Sequence, residues 1–310
     1  MRYLVVGAGA LGGYFGGRLL EAGRDVTFLL RPARAQALAR TGLVIKSRFG
    51  DAALPAPPFV LKENLHTPFD IVVVACKAYD LAETIESFAP AVGPQTAILP
   101  LLNGIGHFDA LQQRFGAERV LGGLCMISAA LDAAGTVQHF NDFHALVFGE
   151  LDGASSPRIA EMLADFAGAK FESRASSQML LELWEKWVFI ASAAAITCLM
   201  RASIGDIVAA GAVDLSERLL EDCRAIAAAN GFAPRPAAIE RYRAILTAAG
   251  SPISASMLKD IERGGPVEAD HVIGDLLRRA PAPADGQPPS LLRVAYAHLK
   301  AYEARRASSV

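Results

Sequence analysis

Residues 2–13 read RYLVVGAGALGG, and the order of events in that stretch decides the fold. A short apolar run, the candidate first strand, passes straight into Gly7-Ala8-Gly9-Ala10-Leu11-Gly12, and a helical run follows. In this pattern the first glycine permits a tight turn, the second lets a phosphate approach the backbone, and the third lets helix and strand pack closely. The N–H groups at the start of the helix then face an anion. Glycine-rich turns also serve plain packing, so the meaning comes from context: a strand beginning at residue 2 and a second strand–helix unit directly behind it. Residues 7–12 are therefore expected to bind the pyrophosphate of a dinucleotide.

Outward from this turn, β-rich runs alternate with helical ones up to about residue 175: DVTFLL then PARAQALAR, DIVVVA then DLAETIESFAP, TAILPL then HFDALQQRF. Strands that are almost continuously apolar, each followed by an amphipathic helix, indicate a parallel sheet covered on both faces. TVQHFNDFHALVFGEL, residues 136–151, reads as a hairpin with Asn141-Asp142 as its turn. From about residue 176 the strand signals stop and Ala-, Leu- and Arg-rich helical segments take over, with Gly231 and Gly250 as stops. The expected architecture is α/β: an N-terminal Rossmann-type parallel-sheet domain over residues 1–175, then an all-helical domain over 176–310. In the second domain the Pro-rich stretch APAPADGQPPS, residues 280–290, connects the last two helices.

With 310 residues, 52% of them hydrophobic and 20% charged, the chain can bury a large core and is more comfortable as two domains than as one. A formal charge of −2, from 30 Lys+Arg against 32 Asp+Glu, offers neither a nucleic-acid footprint nor a basic membrane-binding face. The expected partner is a small molecule. Cys76, Cys125, Cys198 and Cys223 form no CxxC pair and read as reduced residues of a cytoplasmic protein. The apolar N-terminal run is interrupted at Gly7 with no cleavage region behind it, unlike a signal peptide. The longest apolar stretch, residues 187–200, falls short of the ~20 residues a spanning helix needs and is expected to be a buried helix. His66, His107, His139, His144, His271 and His298 form no HxxxH or HExxH pattern, with His139 and His144 expected on opposite arms of the hairpin, so no metal site is expected. No GxSxG nucleophile elbow occurs.

Sites that prefer NAD place an acid at the end of the second strand. Here DVTFLL runs into Arg31, whose guanidinium can hold a 2′-phosphate bidentately, and no acid stands nearby in the sequence to repel that phosphate. NADP(H) is the expected cofactor. The alternative is a surface arginine leading into a helix that starts at Pro32.

GAGALG, LLRPARAQALARTGLVIKS, CKAYD, LNGIGH, LWEKW and SMLKDIERGGPVE occur in this order, and through them the chain resembles the ketopantoate reductase (2-dehydropantoate 2-reductase) family over nearly its whole length. The resemblance implies the two-domain architecture already read. It also implies an oxidoreductase acting on CH–OH groups, which reduces a 2-oxo acid to a 2-hydroxy acid with NADPH in pantothenate biosynthesis. Carried over residue by residue, it puts the nicotinamide-side lysine on Lys77 of CKAYD, at the C-terminal end of a parallel strand where open sheets bind ligands. Asn103 of LNGIGH matches a residue that contacts cofactor and substrate, and Ala129 of MISAAL a backbone contact to the nicotinamide. A loop lysine and an Asn-Gly pair can equally serve loop backbone groups.

LWEKW resembles the family's W-x-K segment, which makes Lys186 the catalytic lysine and a substrate contact. Once its neighbour Glu185 is set aside, Lys186 stands alone in a run of tryptophan, aliphatic residues and alanine. Hydride arriving at a carbonyl carbon leaves charge on oxygen, which a positioned ammonium stabilises and protonates, and burial among Trp187, Phe189 and Ile190 would lower its pKa. The competing reading is a lysine stem lying on the core with its head paired to Glu182. Glu268 matches a glutamate that approaches cofactor and active site, against a plain first-turn carboxylate. Ser256 matches a substrate-binding serine, against an N-cap.

The family carries asparagines four and eight residues after the lysine, and this chain has Ile190 and Ala194 there. Those positions lie on one helical face, so a hydrogen-bonding wall for the substrate becomes apolar, and Thr197 on the same face offers a substitute hydroxyl. Ketopantoate is the expected substrate. A 2-oxo acid or ketone with a more apolar body is the alternative, followed by a non-catalytic NADP-binding sensor. A sugar or polyol phosphate would need further basic residues near the lysine, and none is found. A homodimer is left open, since Ala-rich helical domains of this kind often pair.

Overall fold

A computed structural model describes residues 1–282, 286 and 288–308. By its internal contacts the chain divides into Met1–Leu102 with His107–Leu180, and Asn103–Gly106 with Leu181–Val310. The first unit contains β1 (Arg2–Val6), α1 (Ala10–Glu21), β2 (Asp25–Leu29), α2 (Pro32–Thr41), β3 (Leu43–Lys46), β4 (Ala52–Leu54), β5 (Phe59–Val60), β6 (Ile71–Val74), α3 (Leu81–Phe88) and β7 (Ala97–Pro100). It continues with α4 (His107–Phe115), β8 (Leu121–Met126), β9 (Ala129–Leu131), β10 (Val137–His139), β11 (Ala145–Glu150), α5 (Pro157–Phe166) and β12 (Glu172–Ala175).

Five strands make a parallel sheet in the order β5-β2-β1-β6-β7. Every residue of β6 (IVVV) and β7 (AILP) is buried, which is why these runs are continuously apolar: both faces of the sheet are covered there. Chain order reverses between β1 and β6, and ligands of open sheets bind beyond the strand ends at such a reversal. The register Val6↔Val74 brings the residues that follow each strand together there, with the Ala75 N–H donating to the Val6 carbonyl at 3.3 Å. The glycine turn and the CKAYD segment therefore leave the sheet side by side.

The remaining strands form two smaller sheets, β4-β3-β10-β9 and β12-β11-β8, the latter adjoining the main sheet through an Ile98↔Val120 bridge. This corrects the expected hairpin at 136–151. β10 pairs with β3 and β9, β11 with β8 and β12, so its two arms belong to different sheets. Alternation marks each arm as a strand but does not say which neighbour it takes. Asn141 serves as a tie: its Oδ1 accepts the Ser128 N–H at 2.8 Å and lies 2.9 Å from His139 Nε2. His139 ends one arm and His144 directly precedes the other, and their rings stack with centroids 5.6 Å apart, while the Tyr14 hydroxyl lies 2.5 Å from His144 Nδ1.

After β12 the described residues hold no strand. The helices are α6 (Met179–Met200), α7 (Ile204–Ala209), α8 (Val213–Ala229), α9 (Pro236–Leu246), α10 (Ser256–Glu262), α11 (Asp275–Arg278) and α12 (Leu291–Ser308), with a π-helical turn, Asp270–Gly274, leading into α11. Gly231, at φ +85°, follows the end of α8 as its composition predicts. Pro283, Ala284, Asp285 and Gln287 of the Pro-rich connector lie outside the described residues. At 22 residues α6 is longer than its apolar stretch suggested and by length and composition passes for a membrane span. Burial, not length, distinguishes it: most of its apolar window packs inside the protein, with Trp184 and Trp187 fully enclosed.

Candidate active site

The glycine turn has the local geometry its sequence demands. Gly7 takes φ +92° and its N–H donates to the Leu29 carbonyl at 3.0 Å, while α1 begins at Ala10 with no side-chain cap. The first-turn N–H groups of an uncapped helix have no intrahelical partner and can receive an anion. A Cβ at Gly12 would lie 2.0 Å from the Gly7 carbonyl oxygen, whereas one at Gly9 would meet nothing within 4 Å. Gly12 thus holds the turn against the helix, while the side at Gly9 is open. Arg34, which the sequence reading passed over, braces the turn from α2: its Nε donates to the Ala8 carbonyl at 2.9 Å and one terminal nitrogen to the Gly135 carbonyl at 3.1 Å. Burial lowers its pKa. Its only sequence signal is the spacing from Arg31 in RPAR.

Arg31 stands at the N-cap position of α2, just past β2, and 60% of its side chain is exposed. The expectation that no acid stands near it is overturned. One terminal nitrogen of its guanidinium lies 3.4 Å from Asp80 Oδ2 and the other 2.9 Å from Glu83 Oε2. These acids are 49 and 52 residues away in sequence and arrive through the β2-β1-β6 strand order. Lys77 is partly buried at the N-cap of a short 3₁₀ turn, Ala78–Asp80, that leads into α3. Ala129 opens β9 opposite His139, behind the Ser128 N–H that Asn141 ties down.

In the second unit a cavity of about 130 Å³ gathers Asn103, Ser254, Ser256 and Glu268 against a wall of Phe189, Ile190, Ala193, Ala194, Ile253 and Val272. Asn103 reaches it through Gly104, whose φ of +72° turns the backbone against His271. Burial lowers the His271 pKa, opposed by the charges of Glu268 and Asp275 and by a hydrogen bond with the Asn103 backbone. Glu268 is 8% exposed and immediately precedes the helical turn, with its carbonyl accepting the Val272 N–H at 2.9 Å. It is not the first-turn surface carboxylate of the simpler reading. Ser256 is the first residue of α10, whose cap is Ala255, so the N-cap alternative does not hold. Ser254 escaped the sequence reading because nothing separates it from other loop serines.

Lys186 lies one turn before Ile190 on the same face of α6 and is only partly buried. The enclosed charge in LWEKW is its neighbour: Glu185, 2% exposed, receives the backbone N–H and Nε of Arg235, each at 2.8 Å, together with a terminal guanidinium nitrogen. Setting Glu185 aside therefore overlooked the residue that ties α6 to the start of α9. Two residues on, Trp187 Nε1 donates to the Val272 carbonyl at 2.8 Å, joining α6 to the π-helical turn that lines the cavity. Thr197 cannot replace the missing asparagines. It is fully buried, and its hydroxyl donates to the Ala193 carbonyl at 2.6 Å and accepts the Ala255 N–H at 3.3 Å.

Residues 3–153 match the sequence profile of the ketopantoate reductase PanE/ApbA family, and residues 178–303 match the PanE/ApbA C-terminal profile. The chain belongs to the ketopantoate reductase family. It is an oxidoreductase of that family acting on CH–OH groups, with a nicotinamide cofactor. Ketopantoate reductases are not the only named relatives. The chain is 38% identical over 307 residues to the uncharacterized oxidoreductase YkpB of Bacillus subtilis, spanning 99% of this chain and 100% of that one. It is 27% identical over 297 residues to the 2-dehydropantoate 2-reductase of Mesorhizobium japonicum, spanning 88% and 89% of the two chains. The crystal structure of 2-dehydropantoate 2-reductase from Geobacter metallireducens aligns with a TM-score of 0.86 at 29% identity, over 97% and 99%.

Proposed function

We propose that this ketopantoate reductase family member reduces a 2-oxo acid to the 2-hydroxy acid with NADPH, using Lys186 as the general acid. The cavity in the second unit carries this reading: Asn103, Ser256 and Glu268 line it together with Ile190, which lies one α6 turn from Lys186. Bound NADPH supplies hydride to the substrate carbonyl carbon. Negative charge then grows on the carbonyl oxygen, and the Lys186 ammonium stabilises it and delivers the proton. The Asn103 amide and the Ser256 hydroxyl hold the polar groups of the acid, and Glu268 aligns the reacting end. Residues 7–12 hold the pyrophosphate, Arg31 the 2′-phosphate, and Lys77 with the Ala129 backbone the nicotinamide end.

2-Dehydropantoate is the first candidate substrate, because the relatives from Mesorhizobium japonicum and Geobacter metallireducens are named for it. That choice carries pantothenate biosynthesis, in the cytoplasm, as the pathway. One observation favours a 2-oxo acid with a more apolar body: the Ile190, Ala193 and Ala194 wall continues into Phe189, which stacks on Tyr242 with ring centroids 4.9 Å apart. A screen of NADPH oxidation with 2-dehydropantoate and with branched and aromatic 2-oxo acids separates the two. We expect turnover on at least one, and a fall of roughly 10²–10⁴-fold in kcat for Lys186→Ala with NADPH affinity retained. An unchanged rate in that variant removes the general-acid role. NADPH binding without turnover on any acid points instead to a sensor.

A further inference from the structure

A guanidinium grips a phosphate best through a pair of N–H groups in its planar fork. Both terminal nitrogens of Arg31 are already engaged, one facing Asp80 and the other Glu83. A 2′-phosphate thus competes for the very groups that hold two carboxylates. The exchange itself costs little, because Arg31, Asp80 and Glu83 are 60%, 34% and 72% exposed and such pairs are weak. What persists afterwards is repulsion. Asp80 stands at the N-cap position of α3 and Glu83 sits in its first turn, positions where a helix favours negative charge, so two carboxylates stand beside an anion of nearly two charges. NADH differs at this point by carrying a ribose hydroxyl, which donates a hydrogen bond that a carboxylate accepts. Sites that prefer NAD take that acid from the end of the second strand. This chain has arginine there and brings the acid from the segment after β6.

We propose that Asp80 and Glu83 determine cofactor specificity, drawing the preference away from NADPH so that the site accepts NADH as well. The inference rests on the reading that Arg31 faces the 2′ position of the adenosine ribose. Its test is direct fluorescence titration of the purified full chain with NADPH and with NADH, which needs no substrate. In the doubly substituted Asp80→Asn, Glu83→Gln protein the ratio of the NADH Kd to the NADPH Kd should rise roughly three- to tenfold at low salt. The rise should shrink as salt approaches ~0.5 M, since exposed charges are then screened. A ratio that stays constant or moves towards NADH overturns the proposal. The single variant Arg31→Ala separates that failure from failure of the underlying reading. If it weakens NADPH selectively while the double variant changes nothing, Arg31 keeps its role and the acids lose theirs. If it weakens both cofactors equally or neither, the 2′-phosphate reading falls and the proposal with it.

Discussion

The glycine turn of the first unit presents backbone: α1 begins there with no side-chain cap, and no Cβ stands at Gly7, Gly9 or Gly12. Around α6 in the second unit the helical backbone is satisfied by its own hydrogen bonds, and what faces the cavity is side chains about one turn apart. The two regions fail differently under substitution. A backbone site has one solution, because any Cβ in the wrong place moves the turn. A side-chain site can be respecified without touching the fold, since Ile190 and Ala194 line the cavity from the side of a helix whose backbone does not depend on them.

The largest effect is expected where the side-chain region depends on a buried charge. Arg235→Met leaves the Glu185 carboxylate enclosed and without its guanidinium, at a cost of about 4 kcal/mol in urea unfolding. Glu185→Gln leaves behind an arginine that is 49% exposed and solvated, and should cost much less, about 1 kcal/mol. Equal losses in the two variants would mean that the pair does not anchor α6. Next comes the backbone region: Gly12→Ala forces a Cβ to within 2.0 Å of the Gly7 carbonyl oxygen. The displaced turn should lose about 3 kcal/mol of dinucleotide binding, or roughly a hundredfold in Kd by titration. Wild-type affinity in this variant would break the distinction between the two regions.

A smaller change is expected from restoring a polar wall with Ile190→Asn and Ala194→Asn. That double variant should raise kcat/KM for 2-dehydropantoate against an apolar 2-oxo acid roughly tenfold, with no shift in NADPH affinity. A parallel change for both acids would show that the α6 face does not choose the substrate. The smallest effect is on pH dependence, to which each region contributes a histidine with a lowered pKa. At His144 burial is the main cause, reinforced by His139 and Arg18 and opposed by Glu172; at His271 burial is opposed by Glu268 and Asp275. Both bind a proton less readily folded than unfolded. Their stabilisation is therefore complete above the ordinary histidine value of about 6.5 and is lost as pH falls from there through the lower folded values. The Tm should decline on acidification below that point, and His144→Gln should flatten the decline; a slope unaltered by that change would exclude His144 as a source.

How much of this was legible depended on how far apart the interacting residues lie in sequence. The glycine turn, the parallel strands and the helical second unit are local patterns, and the structure follows them closely. Arg31 was read correctly as the residue beyond β2, but its partners Asp80 and Glu83 come from another strand–helix unit and no sequence window contains all three. The same holds for Glu185 and Arg235, 50 residues apart, and for the 136–151 segment, whose arms each found a partner outside the expected hairpin. Thr197 looked available on a helical wheel. Only its contacts with Ala193 and Ala255 show its hydroxyl already engaged.

By itself, then, the sequence determined the order of strands and helices, the glycine turn between β1 and α1 and the i, i+4, i+8 face that carries Lys186, Ile190 and Ala194, because each follows from the short-range geometry of glycine, strand and helix. Tertiary structure alone decided which charges are paired, which hydroxyls are spent and that Ser254 joins Asn103, Ser256 and Glu268 in one cavity. Those outcomes depend on groups meeting across tens of residues, and the energy of a charge or a hydroxyl is set by the neighbours it finds there and by how much water it has lost.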